Sequence, residues 1–205
     1  KGSGNWTAVV RGRAAHAGRE HHLGRNAVVA LAGFVTALDG LNGQREGVTV
    51  NPARFEGGGP TNVVPDRAGM RFNIRVQNAA QQTWVEKQLI RLTAEINARD
   101  GIQLALHGGF GRPPKPRFPA LFQFVSDCGR QLDLPVRFAD TGGCCDGNNL
   151  AAHGLPNVDT LGVRGGAIHS ADEYLLVDSL VERARLSALL LMRLGAGDCP
   201  EDFRL

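Results

Sequence analysis

The sequence predicts two regions in succession: an α+β domain over residues 1–116 and a partial α/β domain over residues 117–205. In the first region the hydrophobic periodicities follow the order β-α-β-β-α-β, which is the ferredoxin-like pattern. The segment 108–116 is rich in Gly and Pro, as expected of a domain boundary. In the second region helical patterns alternate with short apolar runs, which indicates α/β organisation.

The first region is expected to form a four-stranded antiparallel sheet with two helices on one face. The clearest strand is Met70–Val76, in which apolar and polar residues alternate. Asn78 is predicted to be a helix N-cap because Gln81 follows three residues later. The other sheet face is open or serves association. The predicted strands are 6–13, 48–55, 70–76 and 102–106. The predicted helices are 25–38 and the segment that follows the Asn78 cap and stops before Asp100.

The second region is expected to be half of a larger sheet, because two short strands are too few for a self-standing α/β layer. We predict helices at 119–132 and 146–153 and strands at 136–139 and 158–161. A long amphipathic helix closes the chain. Its predicted apolar face comprises Val177, Leu180, Val181, Ala184, Ala188, Leu191 and Met192.

The amino-acid composition limits which classes of protein the chain can belong to. A hydrophobic content of 42% favours a folded globular protein over a disordered one. There is no long apolar run and no signal-peptide pattern at Lys1–Trp6, so we expect no membrane association and a cytoplasmic location. A net charge of +3 without a basic run does not favour nucleic-acid binding. The cysteines fit neither a metal motif nor a disulfide framework and are expected to be free thiols: Cys128, Cys144, Cys145 and Cys199.

His169 is the strongest single candidate for a functional residue. It follows a glycine turn and precedes Ser, Asp and Glu, an arrangement expected of a metal ligand with supporting hydrogen bonds. One histidine cannot hold a metal alone. A weaker alternative is a cysteine hydrolase that uses Cys144 or Cys145 with His169. A serine hydrolase has no nucleophile motif to support it.

Two further candidates lie in loops of the first region. His16 is flanked by small residues directly after the first predicted strand, so something approaches it closely. It is either a structural histidine or a donor to a developing oxyanion. Asn62 lies in a rigid connection between strands and is either a turn former or an amide that faces the substrate.

The remaining candidates carry groups that bind carboxylates. Arg75 lies on the polar face of its strand, and Arg112 in the Gly/Pro segment is either solvated or a bidentate carboxylate clamp. Gly142 and Gly143 precede Asp146, which is predicted to cap a helix. The two glycines are predicted to present backbone N–H groups to a substrate carboxylate.

In their order and spacing these segments resemble the aminoacylase/glutamate carboxypeptidase family of co-catalytic zinc metallopeptidases. The motifs that carry the resemblance are Gly-x-x-x-His-Ala-Gly at 12–18, Gly24-Arg25-Asn26-Ala27, Asn62-Val63-Val64-Pro65, Arg75, Gly111-Arg112-Pro113, Thr141-Gly142-Gly143 with Asp146, and His169-Ser170 before Asp172-Glu173-Tyr174.

The resemblance implies that residues 1–116 are a lid or dimerisation domain and that residues 117–205 are the C-terminal part of the catalytic domain. It implies hydrolysis of an amide or peptide bond with two zinc ions. It makes His169 a zinc ligand, and it makes His16 a catalytic group that reaches the active site of the partner subunit in a homodimer. It assigns the binding of a small carboxylate-bearing substrate to Asn62, Arg75, Arg112, Gly142 and Gly143.

The sequence also departs from the family pattern. Cys144 and Cys145 stand where small or hydroxyl residues are usual, and Asn73 stands where Asp is common. The family's His-x-Asp, bridging Asp and Glu-Glu motifs are missing. We therefore expect a fragment of a longer enzyme, inactive alone, with zinc absent or weakly bound. The alternatives are a non-catalytic dimerisation or binding module, and an amidohydrolase of N-acyl or N-carbamoyl amino acids.

Overall fold

A four-stranded antiparallel sheet organises the first part of the chain in the computed structural model, which describes residues 1–198 and Pro200. The strand order is β2-β3-β1-β4, and both helices pack against one face of the sheet. This is the ferredoxin-like arrangement, so the predicted fold is confirmed. The elements are β1 (Gly2–Arg11), α1 (Ala27–Asp39), β2 (Thr49–Gly57), β3 (Arg67–Val76), α2 (Ala79–Asn97) and β4 (Gln103–Arg112).

β1 and β3 form the centre of this sheet. They pair without interruption from Gly2 opposite Val76 to Arg11 opposite Arg67. Alternate residues of both strands enter the core, whereas the intervening residues lie on an open face. The core members of these two strands are Trp6, Ala8, Val10, Ala68, Met70, Phe72, Ile74 and Val76.

Both helices of the sheet domain begin at an asparagine cap. The amide oxygen of Asn78 accepts from the N–H of Gln81 at 2.9 Å, as predicted. The amide oxygen of Asn26 accepts from the N–H of Val29 at 3.0 Å, so α1 begins two residues later than expected. Arg25 is not helical because its backbone pairs with Arg13.

The outer strand β4 is longer than the sequence indicated. It continues through the glycine-rich segment to Arg112, so this arginine lies at a strand end and the prediction that it lies in a linker was wrong. Gly108 permits the continuation, because a side chain there would lie 2.1 Å from the carbonyl oxygen of Asn5.

Two asparagines hold the edge strands. Asn42 donates to the carbonyl of Val50 and accepts from its N–H at 2.9 and 2.8 Å. Asn97 makes the same pair of bonds to Leu104, at 3.1 and 2.6 Å. Each amide thus satisfies both backbone groups of one residue on β2 or β4.

The remainder of the described chain forms a second compact unit, from 116 to 141 and from 145 to 198, whereas Gly142–Cys144 groups with the sheet domain. Its core lies between α3 and α5. Its elements are α3 (Pro119–Gln131), α4 (Gly147–Ala152), β5 (Gly165–Gly166), β6 (Tyr174–Leu175) and α5 (Asp178–Gly195).

The strands predicted at 136–139 and 158–161 are absent from this unit, and those two predictions were wrong. Val136 and Val158 do pack against the α3/α5 core. Their segments, however, have no strand neighbour among the described residues, and a strand is defined by the hydrogen bonds that it makes to a neighbour.

The predicted apolar face of α5 is exposed rather than buried. Val177 and Leu191 are both 70% exposed, whereas Leu186 and Ser179 are fully buried. The helix therefore buries a different stripe from the one that hydrophobicity alone indicated. No helix within residues 1–198 has both the length and the apolar character needed to cross a membrane.

We expect Asn97→Ala to lower the free energy of unfolding by about 1–3 kcal/mol, because it leaves the backbone groups of Leu104 without partners. Asn51→Ala, which alters an exposed asparagine of β2, is the matched control and should change the free energy by less than about 0.5 kcal/mol. Urea unfolding of both variants measures the difference, and equal effects would contradict this role of Asn97.

Candidate functional site

The loop that carries His16 is tied to the loop that carries Asn62. The N–H of Ala17 donates to the carbonyl of Asn62 at 2.9 Å, and the N–H of Val64 donates to that of Ala15 at 2.9 Å. His16 itself forms an isolated β-bridge with Val63. The structure thus brings together two predicted site residues that are far apart in sequence, and both are exposed.

The His16 ring has a defined tautomer. Its Nδ1 accepts from the N–H groups of Gly18 and Arg19, both at 3.2 Å. In neutral imidazole one ring nitrogen accepts and the other carries the proton. Since Nδ1 accepts, Nε2 carries the proton and is available as a hydrogen-bond donor at the surface.

Arg25 anchors the same region. Its backbone pairs with Arg13 in both directions, at 2.9 and 2.8 Å, and its guanidinium donates to the carbonyls of His22 and Gly24. It also donates to Asp100 from Nε at 2.9 Å. These hydrogen bonds and the charge of Arg25 hold the pKa of the Asp100 carboxyl below its ordinary value.

The glycine at position 12 allows this close packing. A side chain there would lie 2.0 Å from the carbonyl oxygen of Arg25, whereas one at Gly18 would meet nothing closer than 3.8 Å. Gly12 is therefore required by the Arg13–Arg25 pairing, and Gly18 is not required by steric contact.

Arg75 lies in a second polar group at the other end of β3. Its Nε donates to the amide oxygen of Asn73 at 3.2 Å, and its Nη1 donates to the carbonyl of Gly142 at 2.7 Å. The Asn73 amide donates in turn to Ser3 and Asn5, each at 2.9 Å. The guanidinium is thus oriented by a neutral amide, and within residues 1–198 no carboxylate forms an ion pair with it.

The role of Asn73 in orienting Arg75 was not anticipated from the sequence. The available signal was its position two residues before Arg75, which places both side chains on the same face of β3.

The other predicted carboxylate-binding residues lie near this group. Arg112 aligns with Ser3, which also aligns with Arg75 on the opposite side. The carbonyl of Gly143 accepts from the N-terminal amine of Lys1 at 3.4 Å. Asp146 occupies the N-cap position of α4, but its side chain makes no capping hydrogen bond, contrary to expectation.

The predicted catalytic and substrate-binding residues therefore form two separate groups. His16 and Asn62 lie beyond the Arg67 end of β3, whereas Arg75 and Gly142 lie at its other end. From Arg67 to Arg75 the strand spans roughly 27 Å, at about 3.3–3.4 Å per residue. Within one sheet domain the two groups are therefore too far apart to contact one small molecule together.

His169 lies in the turn that joins β5 and β6. Its backbone is left-handed, with φ at 66°, and its N–H donates to the Glu173 carboxylate at 3.1 Å. Such a backbone is strained for a residue other than glycine and is often found at functional sites. The side chain is exposed.

The described residues do not form a metal site by themselves. Across residues 1–198 and Pro200, no three His, Cys, Asp or Glu side chains are placed to hold a metal ion together. His169 therefore has no partner ligands in the part of the chain that the structure describes. Cys145 donates to Asp159 at 3.0 Å, and Cys128, Cys144 and Cys145 are free thiols, whereas Cys199 lies outside the described residues.

Residues 1–101 match the family model of the peptidase dimerisation domain. Carboxypeptidase G2 of Pseudomonas sp. (strain RS-16) is 26% identical over 92% of this chain and 46% of its own length. Succinyl-diaminopimelate desuccinylase of Bordetella parapertussis is 29% identical over 93% of this chain and 52% of its own. A solved structure from Bacillus subtilis, of a dinuclear metal binding peptidase from the M20 family, is similar over 94% of this chain and 50% of its own chain. Its TM-score is 0.67 and its sequence identity is 17%.

These matches confirm the resemblance drawn from the motifs. Residues 1–101 carry a peptidase dimerisation domain, and over nearly its whole length the chain is similar to metallopeptidases of the M20 family. It spans about half the length of the curated relatives that it matches.

We expect Gly12→Ala to destabilise the sheet domain by about 1–3 kcal/mol, because the added methyl group overlaps the carbonyl of Arg25. Gly18→Ala makes the same chemical change in the same loop with no close contact and should be tolerated. Chemical denaturation distinguishes the two variants. A tolerated Gly12→Ala would contradict the close packing described here.

We expect His169→Gly to leave the free energy of unfolding unchanged or to raise it by up to about 1 kcal/mol. Relief of about 1–2 kcal/mol of left-handed strain is partly offset by the more flexible unfolded chain. His107→Gly, at an exposed position of β4, should instead destabilise by about 1 kcal/mol. Thermal unfolding measures both, and a clear loss in His169→Gly would show that the turn is not strained.

Proposed function

We propose that this chain is part of a metal-dependent hydrolase that cleaves an amide or peptide bond in a small carboxylate-bearing substrate, and that acts as a homodimer. The observation that carries the proposal is the separation of two substrate-binding groups at opposite ends of β3. In a dimer, the His16 group of one subunit can meet the Arg75 group of the other.

His16 fits the role of an oxyanion donor. The two N–H groups that bond to Nδ1 fix the proton on Nε2, and the loop is held by backbone pairing on both sides. A preorganised donor of this kind stabilises the negative charge that develops on the substrate carbonyl. Asn62 lies in the loop that pairs with the His16 loop, and we assign its side-chain amide to the same proposed site.

Arg75 fits the role of the carboxylate-binding group. Its guanidinium is oriented through Asn73, which has no charge, so its positive charge remains available to an anion. Its hydrogen bond to Gly142 supports a shared role with the glycine turn of its own chain, and we assign Gly143 and Arg112 to the same proposed site. The names of two relatives, a carboxypeptidase and a desuccinylase, are both consistent with a carboxylate in the substrate.

The metal belongs to the intact enzyme in this proposal. When bound it would polarise the scissile carbonyl, as zinc does in hydrolases of this type. The donors of the described residues do not fit a metal by themselves, so His169 is proposed as one ligand that needs others from the remaining half of the protein. No catalytic step is assigned to this chain alone.

We expect that, in the intact parent protein, His16→Ala and Arg75→Ala are each inactive as homodimers. Loss of one oxyanion donor typically lowers kcat by about 10²–10³. Mixing the two variants through denaturation and refolding should restore about a quarter of the wild-type rate, since half of the dimers are mixed and each of these has one intact composite site.

The matched control is a mixture of His16→Ala with Asn62→Ala. These residues lie in the same group, so the mixed dimer contains no intact site and should regain nothing. Activity of the control mixture equal to that of the first mixture would contradict the assignment of the two groups to different subunits. A monomer by light scattering of the active parent would contradict the dimer itself.

A further inference from the structure

The open face of the sheet carries a groove that the proposed reaction does not use. It has a volume of about 410 Å³ and lies between the His16 and Arg75 groups. Its floor consists of Thr7, Val9 and Gly69, and its walls carry Arg54, Glu56, Arg67 and Arg71. We refer to these seven residues as the arginine groove.

Gly69 gives the groove its depth. It lies between Val9 of β1 and Glu56 of β2, while Arg67 and Arg71 flank it on the same face of β3. A methyl group at this position would meet only the carbonyl oxygen of Ala8, at 3.4 Å. Steric contact therefore does not require glycine here, although glycine weakens a strand interior.

The arrangement of charges on this face is unfavourable without a ligand. Arg71 lies directly opposite Arg54, and Arg67 lies directly opposite Arg11. Like charges in directly opposed positions destabilise a sheet. The open face carries two such pairs of opposed arginines. Locally unfavourable arrangements of this kind are expected at functional sites.

Little within the chain compensates these charges. Glu56 pairs with Arg54 at 2.9 Å, but both side chains are more than 60% exposed and such pairs contribute little. Within residues 1–198, the guanidinium groups of Arg67 and Arg71 have no hydrogen-bond or ionic partner. The groove thus presents two unpaired planar donors on either side of a glycine floor.

We propose that the arginine groove is a binding site for a small multivalent oxyanion, either a phosphate compound or a polycarboxylate. Each guanidinium can donate two parallel hydrogen bonds to a phosphate or carboxylate group. An anion above Gly69 would be reached from both sides, and its charge would remove the repulsion between the opposed arginines. The site is independent of the proposed hydrolytic pocket, because it includes neither Asn62 nor Arg75.

Isothermal titration of the 205-residue chain with sodium pyrophosphate and, separately, with citrate at constant ionic strength tests this proposal. We expect saturable one-to-one binding of at least one of the two. Pyrophosphate alone would indicate a phosphate ligand, and citrate alone would indicate a polycarboxylate.

Three variants separate a built site from general surface charge. Arg71→Gln should weaken binding at least about tenfold, since it removes a charge-assisted bidentate contact. Gly69→Val keeps every charge but fills the floor, and should abolish binding while circular dichroism remains unchanged. Arg185→Gln removes one exposed arginine of α5 and should bind as the wild type does.

Three results would overturn the proposal. The first is no saturable heat with either anion up to tens of millimolar. The second is that Arg71→Gln and Arg185→Gln weaken anion binding equally, which would indicate that binding depends on general surface charge. The third is tighter binding of a single-stranded oligonucleotide that Gly69→Val does not affect, which indicates a nucleic-acid surface. None of these results bears on the mixed-dimer experiment.

Discussion

The uninterrupted antiparallel pairing of β1 with β3 is the constraint on which the sheet domain depends. It sets which residues enter the core and which lie on the open face, because successive side chains alternate. It also fixes where each loop leaves the sheet. A slip of one residue would exchange the buried Phe72 and Ile74 for Arg71 and Asn73 and would remove the core and the polar groups of the sheet domain.

The same pairing separates the functional groups. The loop after β1 and the loop before β3 emerge at one end and carry His16 and Asn62, while Arg75 lies near the other end with Asn73. The geometry of the sheet domain therefore places the two groups of predicted site residues at its opposite ends. This division supports the proposed homodimer, and the proposed arginine groove occupies the face between the two ends.

Much of this could be predicted from the sequence. The period-two pattern of Met70–Val76 and the cap at Asn78 identified the central strand and the second helix, because local chemistry determines both. The motifs around His16, Asn62, Arg75 and His169 identified the family. The predictions of strands at 136–139 and 158–161 were wrong, because an apolar run becomes a strand only when a neighbouring strand completes its hydrogen bonds.

The sequence by itself determined the order of elements and the core of the sheet domain, and the resemblance to a family, because these follow from periodicity, capping and the spacing of motifs. Only the tertiary structure decided which of the motif residues meet. The tautomer of His16 depends on two backbone N–H groups. The orientation of Arg75 depends on the Asn73 side-chain amide, which is itself held by hydrogen bonds to Ser3 and Asn5. The exposed face of α5 and the opposed arginines likewise depend on packing and register, which no single segment of sequence specifies.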